Sequence, residues 1–133
     1  MSNVNSIASI VGRILMSVIF ILGGIEKLSG FSGTVGYMGF EHLPVPVLAA
    51  IVAIVVELAG GLLVLVGFKT RIAALVLAVW CIATALVAHT HFADQMQAIN
   101  FLKNMAMAGG YLQLFILGGG AWSLDARMTG RSK

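Results

Sequence analysis

Charged residues are scarce in this chain of 133 residues, where Asp, Glu, Lys and Arg together make up only 10%. Hydrophobic residues make up 59%, well above the roughly 45–50% typical of soluble domains. A separate soluble catalytic domain does not fit this composition, because most residues must lie in lipid or pack against segments that do. The net charge of +3 is small and spread over both ends, which indicates an orientation signal and not a nucleic-acid surface.

Cysteine is nearly absent as well. The single Cys81 excludes an intrachain disulfide, a CxxC redox pair and a thiolate metal cluster. No Lys or Arg precedes the first apolar run near Ile7, so we expect this run to be retained as a membrane span and not removed as a signal peptide. The chain contains no internal repeat, linker or low-complexity segment, which predicts a single domain over residues 1–133.

Four apolar runs are long enough to cross a bilayer, which requires about 20 helical residues. They predict an all-α fold, an integral membrane four-helix bundle with spans at about residues 7–28, 45–67, 70–90 and 101–121. Between the first two spans, Phe31, Val35 and Met38 predict a short helix at the membrane interface. Basic residues cluster on the side of both termini, which are therefore predicted to be cytoplasmic; they are Lys69, Arg71, Arg127, Arg131 and Lys133.

Glu57 lies near the middle of the second apolar run. An ionised carboxylate at the bilayer centre costs several kcal/mol, so it must be protonated, paired or in contact with a wet cavity. Gly60 and Gly61 follow on the same face, where small residues let helices approach closely. Arg13 of the first span lies at a similar depth when counted from the helix ends, and is the predicted partner. The pair is either a purely structural contact or part of a proton or ligand site.

Other polar residues also cluster in space under the four-span hypothesis. Arg13, Ser17, Gly24 and Lys27 fall in one sector of the first helix and predict a polar seam. A set near the outer helix ends is interpreted either as a binding pocket or as lysines that extend to the lipid headgroups; its members are Lys27, His89, Lys103 and Asn104. His89 shares a face with Arg71, which indicates that this face looks inward. No metal site is expected, because His91 diverges from His89 and no further ligand cluster is present.

Several motifs occur in a fixed order along the chain: GGIEKLSGF with Lys27, VELAGGLLVLVGFKTRIAAL with Glu57 and Arg71, the later His89, FLKN, and GGGAWSLD. Together they resemble the DoxX family of small bacterial inner-membrane proteins over nearly the whole chain. The resemblance implies four transmembrane helices and a plasma-membrane location. Some members of that family are named as subunits of quinone-linked sulfur oxidoreductases or are linked to membrane redox complexes, whereas many have no assigned activity.

The favoured hypothesis is an accessory membrane subunit, not a stand-alone enzyme, that binds a quinone or a similar amphipathic molecule between its helices. Glu57 is then a proton relay, and the hydrogen-bonding residues are Lys27, His89, Lys103 and Asn104. The expected partners are the lipid bilayer, membrane oxidoreductase subunits and, because four short helices enclose little volume, further copies of the chain. The alternatives are a small proton-coupled transporter that uses Glu57 and a purely structural or assembly subunit.

Overall fold

The computed structural model describes residues 2–130, and all regular secondary structure in this range is helical. Arg131 and Lys133, which entered the orientation argument, lie outside the described residues. In chain order the helices are α1 (Asn3–Ser29), α2 (Phe31–Phe40), α3 (Pro46–Val66), α4 (Thr70–Ala88), α5 (Gln95–Leu117) and α6 (Leu124–Met128).

Three of these helices, α1, α3 and α4, are long and apolar enough to cross a membrane. Large hydrophobic side chains remain exposed along them, for example Leu15, Val55 and Val79. Such a surface is unsuited to water but is well solvated by acyl chains. α5 has 23 residues and is not among the three, because polar side chains dilute its apolar character; they are Gln95, Gln97, Asn100, Lys103, Asn104 and Gln113.

Glycines let α3 approach its two neighbours closely. A Cβ atom on Gly24 of α1 would lie 2.6 Å from Leu58 Cγ, and one on Gly60 would lie 2.9 Å from Leu77 Cδ2 of α4. On the α1 side, a Cβ on Gly61 would lie 3.0 Å from Ile21 Cγ1. The prediction that Gly60 and Gly61 form a contact surface is therefore confirmed, since larger residues would push these helices apart.

The polar seam of α1 faces inward as predicted. Arg13, Ser17 and Gly24 are buried, together with Phe20. The Phe20 ring packs against Tyr111 of α5 with centroids 5.7 Å apart, and the Tyr111 hydroxyl donates to the Met16 carbonyl at 2.6 Å. A hydroxyl buried this deeply needs a partner, and this bond ties α5 to α1.

α2 packs across the first turns of α3 through Met38, which contacts Ala50 and Ala53. Phe31 and Val35 border the same cluster, which confirms the short helix expected there. The first turns of α3 are covered by α2, and the end of α1 does not extend along them. Lys27, close to the end of α1, therefore lies level with the middle of α3.

Candidate functional site

Arg13 is buried, with 3% of its surface exposed, and it binds backbone carbonyls instead of a carboxylate. Its guanidinium donates to Leu65 at 2.7 Å and to Val64 at 3.5 Å, both in the last turn of α3, and to Trp122 at 2.9 Å. The last carbonyls of a helix lack intrahelical partners and carry partial negative charge, so a cation is stabilised there. The predicted Arg13–Glu57 pair is wrong, because antiparallel packing sets Arg13 against the end of α3 and not its middle.

Asp125 joins α6 to the turn between α3 and α4. Its carboxylate accepts hydrogen bonds from the Lys69 and Thr70 backbone N–H groups at 2.8 and 2.9 Å and from the Thr70 hydroxyl at 2.7 Å. Burial by itself raises the pKa of Asp125, but these bonds and the Lys69 charge outweigh it and hold the pKa below its usual value. The Asp125 N–H also donates to the Gly67 carbonyl at 2.8 Å. The chain after α5 is thereby held at the same end of the molecule as the α3–α4 turn.

The end of the molecule that contains Arg13, the α3–α4 turn and α6 is called the Arg13 end. Glycines from two of the sequence motifs are required for close packing there. Gly67 ends α3 with φ +72°, and a Cβ there would lie 2.5 Å from Ser123 Cβ. A Cβ on Gly119 would lie 2.7 Å from both Ser123 Cβ and Thr70 Oγ1. Side chains larger than hydrogen do not fit where the turn and the GGGAWSLD segment meet, so these motifs have a structural role.

Glu57 forms an ion pair with Lys27, with Nζ and Oε2 3.0 Å apart, and it is the one ion pair among residues 2–130. Its second oxygen, Oε1, accepts a hydrogen bond from the Trp80 indole N–H at 3.2 Å. The carboxylate is buried, and Gly23 leaves room for it, because a Cβ there would lie 3.0 Å from Oε2. The expectation of a neutralising partner is met by Lys27, and Trp80 is an additional partner.

Sequence reasoning missed Trp80 although a signal was available. An indole N–H is a donor that needs an acceptor when it is buried, and a lone membrane carboxylate is an obvious candidate. Trp80 lies near the middle of α4, and Glu57 lies near the middle of α3. Antiparallel neighbours joined by a short turn bring their middles level with each other.

A cavity of about 560 Å³ lies beside this ion pair, within the range of about 300–1,000 Å³ found for small-molecule sites. It is partly open, and its walls are mainly apolar. Lys27 keeps 32% of its side chain exposed, whereas the Glu57 side chain keeps 8%. The Lys27 side chain is therefore the more accessible member of the pair. The other lining residues include Tyr37, Glu41, Leu48, Val52, Ala83, Thr84, Val87 and His89.

The structure brings only part of the predicted site together. Lys27, Glu57 and His89 line the cavity, and His89 Nδ1 lies 2.9 Å from Gln97 Oε1. Lys103 is exposed outside this cavity, and the Asn104 amide donates to the Asn100 carbonyl of its own helix at 3.0 Å. Arg13 and Arg71 lie at the opposite end, where Arg71 is exposed.

Comparison with known proteins places the chain among membrane proteins. Residues 8–90 match the DoxX family. The inner membrane protein YqjF of Escherichia coli (strain K12) is 39% identical over 94% of this chain and 95% of its own length, and YphA of the same organism is 41% identical over 89% and 88%. CatD of Bacillus subtilis (strain 168), named as a proposed oxidoreductase, is 31% identical over 60% of this chain and 58% of its own. No solved structure matches the chain.

The matched range contains Lys27, Glu57 and Trp80, as well as Arg13 and Arg71 at the opposite end. Two relatives that cover most of the chain are inner membrane proteins, and three of its helices are suited to cross a bilayer. From the family match and these relatives, the chain belongs to the DoxX family and is a multi-pass protein of the bacterial inner membrane.

Proposed function

We propose that the cavity beside Lys27 and Glu57 binds a small amphipathic molecule whose head carries a hydrogen-bond acceptor, with a quinone as the favoured class. The chain then serves as an accessory subunit of a membrane oxidoreductase. The observation that supports this most directly is an ion pair whose lysine side chain is partly exposed and lines a mainly apolar cavity of about 560 Å³. Such sites combine apolar walls with a few placed polar groups.

The state of the ion pair favours a ligand that accepts hydrogen bonds. Both Glu57 oxygens are engaged, one by Lys27 and one by Trp80. An ammonium group has three N–H donors, and within residues 2–130 one of those on Lys27 has a partner. A carbonyl oxygen of a quinone can accept one of the others, whereas a cationic ligand would meet the ammonium charge. This charge disfavours the alternative of a proton-coupled transporter for cationic molecules.

The apolar walls suit the rest of such a ligand. Leu48, Val52 and Val87 line the cavity and are also exposed, so they join its interior to the surface of the protein. In a bilayer that surface meets acyl chains, and a ligand with an apolar tail enters without leaving hydrocarbon. The chain positions the ligand, while the electrons come from the partner. The name of CatD as a proposed oxidoreductase supports the redox part.

We also propose that α5 makes a fourth crossing and that both termini are cytoplasmic, within one domain over residues 1–133. α5 has 23 residues, about 34 Å at 1.5 Å per residue, which is enough for a bilayer. The segment after it is bonded to the α3–α4 turn through Asp125, so α5 runs back along α4. The basic residues Lys69, Arg71 and Arg127 then fall on one side, as the positive-inside rule expects.

Quinone binding can be followed by tryptophan fluorescence, because the chain has only two tryptophans. Trp122→Phe leaves Trp80, which lines the cavity, as the sole reporter. In this background we expect saturable quenching by a short-chain quinone. Ala83→Phe narrows the cavity while leaving Lys27 and Glu57 in place, and should weaken binding by about tenfold or more, since overpacked sites exclude ligand atoms.

The matched control is Lys103→Gln, which removes an exposed lysine outside the cavity and should leave quenching unchanged. Lys27→Gln should weaken binding, and its melting temperature must be measured beside it because it also breaks the ion pair. Quenching that does not saturate, or that is the same in Ala83→Phe and in its parent, would refute the proposal.

A further inference from the structure

A second cavity, of about 650 Å³, lies at the Arg13 end of the molecule, at the opposite ends of α3 and α4 from the first. It is bounded by the α3–α4 turn, the end of α5, the glycine segment that follows and α6. Its lining shares no residue with the Glu57 cavity, so it is an independent site. Lining residues relevant to its chemistry are Lys69, Arg71, Ile72, Leu117, Gly118, Asp125 and Met128.

The charges of this cavity are predominantly positive. Lys69 and Arg71 are exposed at its wall, and neither side chain has an ion-pair partner in the part of the chain that the structure describes. Asp125 also lines the cavity, but its two oxygens already accept three hydrogen bonds from Lys69 and Thr70. Two cationic side chains are thus available to a ligand, while the one lining carboxylate is occupied.

The Arg71 side chain lies against backbone that carries no side chain. A Cβ on Gly118 would lie 3.4 Å from Arg71 Nε, so the guanidinium lies against the glycine that ends α5. Gly118 has φ +78°, a backbone conformation that residues other than glycine rarely adopt. The planar guanidinium group thus lies at the cavity wall, and its N–H fork matches the geometry of phosphate oxygens.

Large apolar side chains flank these charges. Ile72, Leu117 and Met128 line the same cavity and are 63%, 74% and 69% exposed. Ile72 begins the apolar part of α4 and Leu117 ends α5, so the change from polar to apolar surface occurs at this cavity. Basic groups beside exposed apolar side chains, at the level where a membrane helix begins, suit a molecule with an anionic head and acyl chains.

We propose that this cavity binds an anionic phospholipid. Its phosphate accepts hydrogen bonds from Arg71 and Lys69, and its acyl chains lie on Ile72, Leu117 and Met128. The charge supplies selectivity over zwitterionic lipids, because a phosphocholine head carries its own cation.

Native mass spectrometry of the purified chain tests the site with three probes: phosphatidylglycerol, phosphatidylcholine of the same acyl chains, and inorganic phosphate. Phosphatidylglycerol should bind at least about fivefold more tightly than phosphatidylcholine, and Arg71→Gln and Lys69→Gln should each weaken it about fivefold. Lys103→Gln, which removes one exposed lysine outside this cavity, should have no such effect. Arg71→Lys keeps the charge and should retain part of the binding, even if Arg71→Gln proves poorly folded.

Equal binding of the two lipids, or equal losses in Lys103→Gln and Arg71→Gln, would overturn the proposal, since either result indicates non-selective adsorption. Phosphate that displaces phosphatidylglycerol at comparable concentration would also overturn it, because the site would then recognise a free anion and not a lipid.

Discussion

Glu57 shows how a single carboxylate is accommodated in the apolar interior of a membrane protein. It accepts one hydrogen bond from an ammonium group and one from an indole, so neither oxygen is left without a partner. Breaking such a pair leaves an uncompensated charge, which is more harmful than replacing both residues with apolar ones. Removing one partner of the pair should therefore destabilise the protein, whether or not the pair also binds a ligand.

We expect Lys27→Ala to lower the free energy of unfolding by about 3 kcal/mol, at the lower end for buried pairs because the lysine is partly exposed. Replacing both partners, in Lys27→Met with Glu57→Leu, should restore much of that loss. Thermal unfolding of the purified variants measures both effects. If the losses in the single variants Lys27→Met and Glu57→Leu simply add in the double variant, the two residues are not energetically coupled.

At the scale of helices, α6 depends on its contacts with the rest of the chain. It has five residues, too few to be stable alone, and is held by the Ser123 cap and by the bonds from Asp125 to the α3–α4 turn. Arg13 binds the end of α3 and the Trp122 carbonyl just before α6. Arg13 thus stabilises the end of α3, Asp125 stabilises the start of α4, and Ser123 caps the start of α6.

This arrangement makes stability dependent on pH through Asp125. Because its folded-state pKa is held below the ordinary value, its contribution is present above that value and is lost as the pH falls through the folded-state pKa. We expect the melting temperature of the wild type to decrease as the pH is lowered from about 5 to about 2. Asp125→Asn should make the melting temperature less dependent on pH in this range. If the melting temperatures of the two proteins change equally with pH across this range, Asp125 is not the source of the pH dependence.

On the scale of the whole molecule, α5 connects the end that contains His89 with the end that contains Arg13. It packs along α4, its Tyr111 hydroxyl reaches α1, and the segment beyond it returns to the α3–α4 turn. The two cavities lie at opposite ends of α3 and α4, one beside Glu57 and one beside Arg71. Where α3 and α4 cross the bilayer, the cavities therefore face opposite leaflets.

Cysteine labelling in intact cells tests this topology in a Cys81→Ala background. Ser2→Cys and Thr129→Cys should react only with a membrane-permeant reagent, because both ends are expected in the cytoplasm. Thr90→Cys, in the loop between α4 and α5, should react with an impermeant reagent. Labelling of Thr129→Cys from outside would mean that α5 does not cross.

Much of the fold follows from the sequence alone. Apolar run length predicts α1, α3 and α4, the i, i+4 spacing of Arg13 and Ser17 predicts the buried seam, and Gly60 with Gly61 predicts close helix contact. These features depend on local periodicity and on the cost of charge in hydrocarbon, both of which are properties of a segment and its solvent. The DoxX motifs likewise indicate the family from the amino-acid sequence.

Only the tertiary structure decided which charges meet. Arg13 and Lys27 lie on one face of α1, and periodicity cannot say which of them lies level with Glu57. The answer depends on α2, which covers the first turns of α3 and leaves α1 ending level with its middle. Lys27 therefore neutralises Glu57, and Arg13 binds carbonyls in the last turn of α3, because axial register between helices is set by packing and not by the composition of either helix.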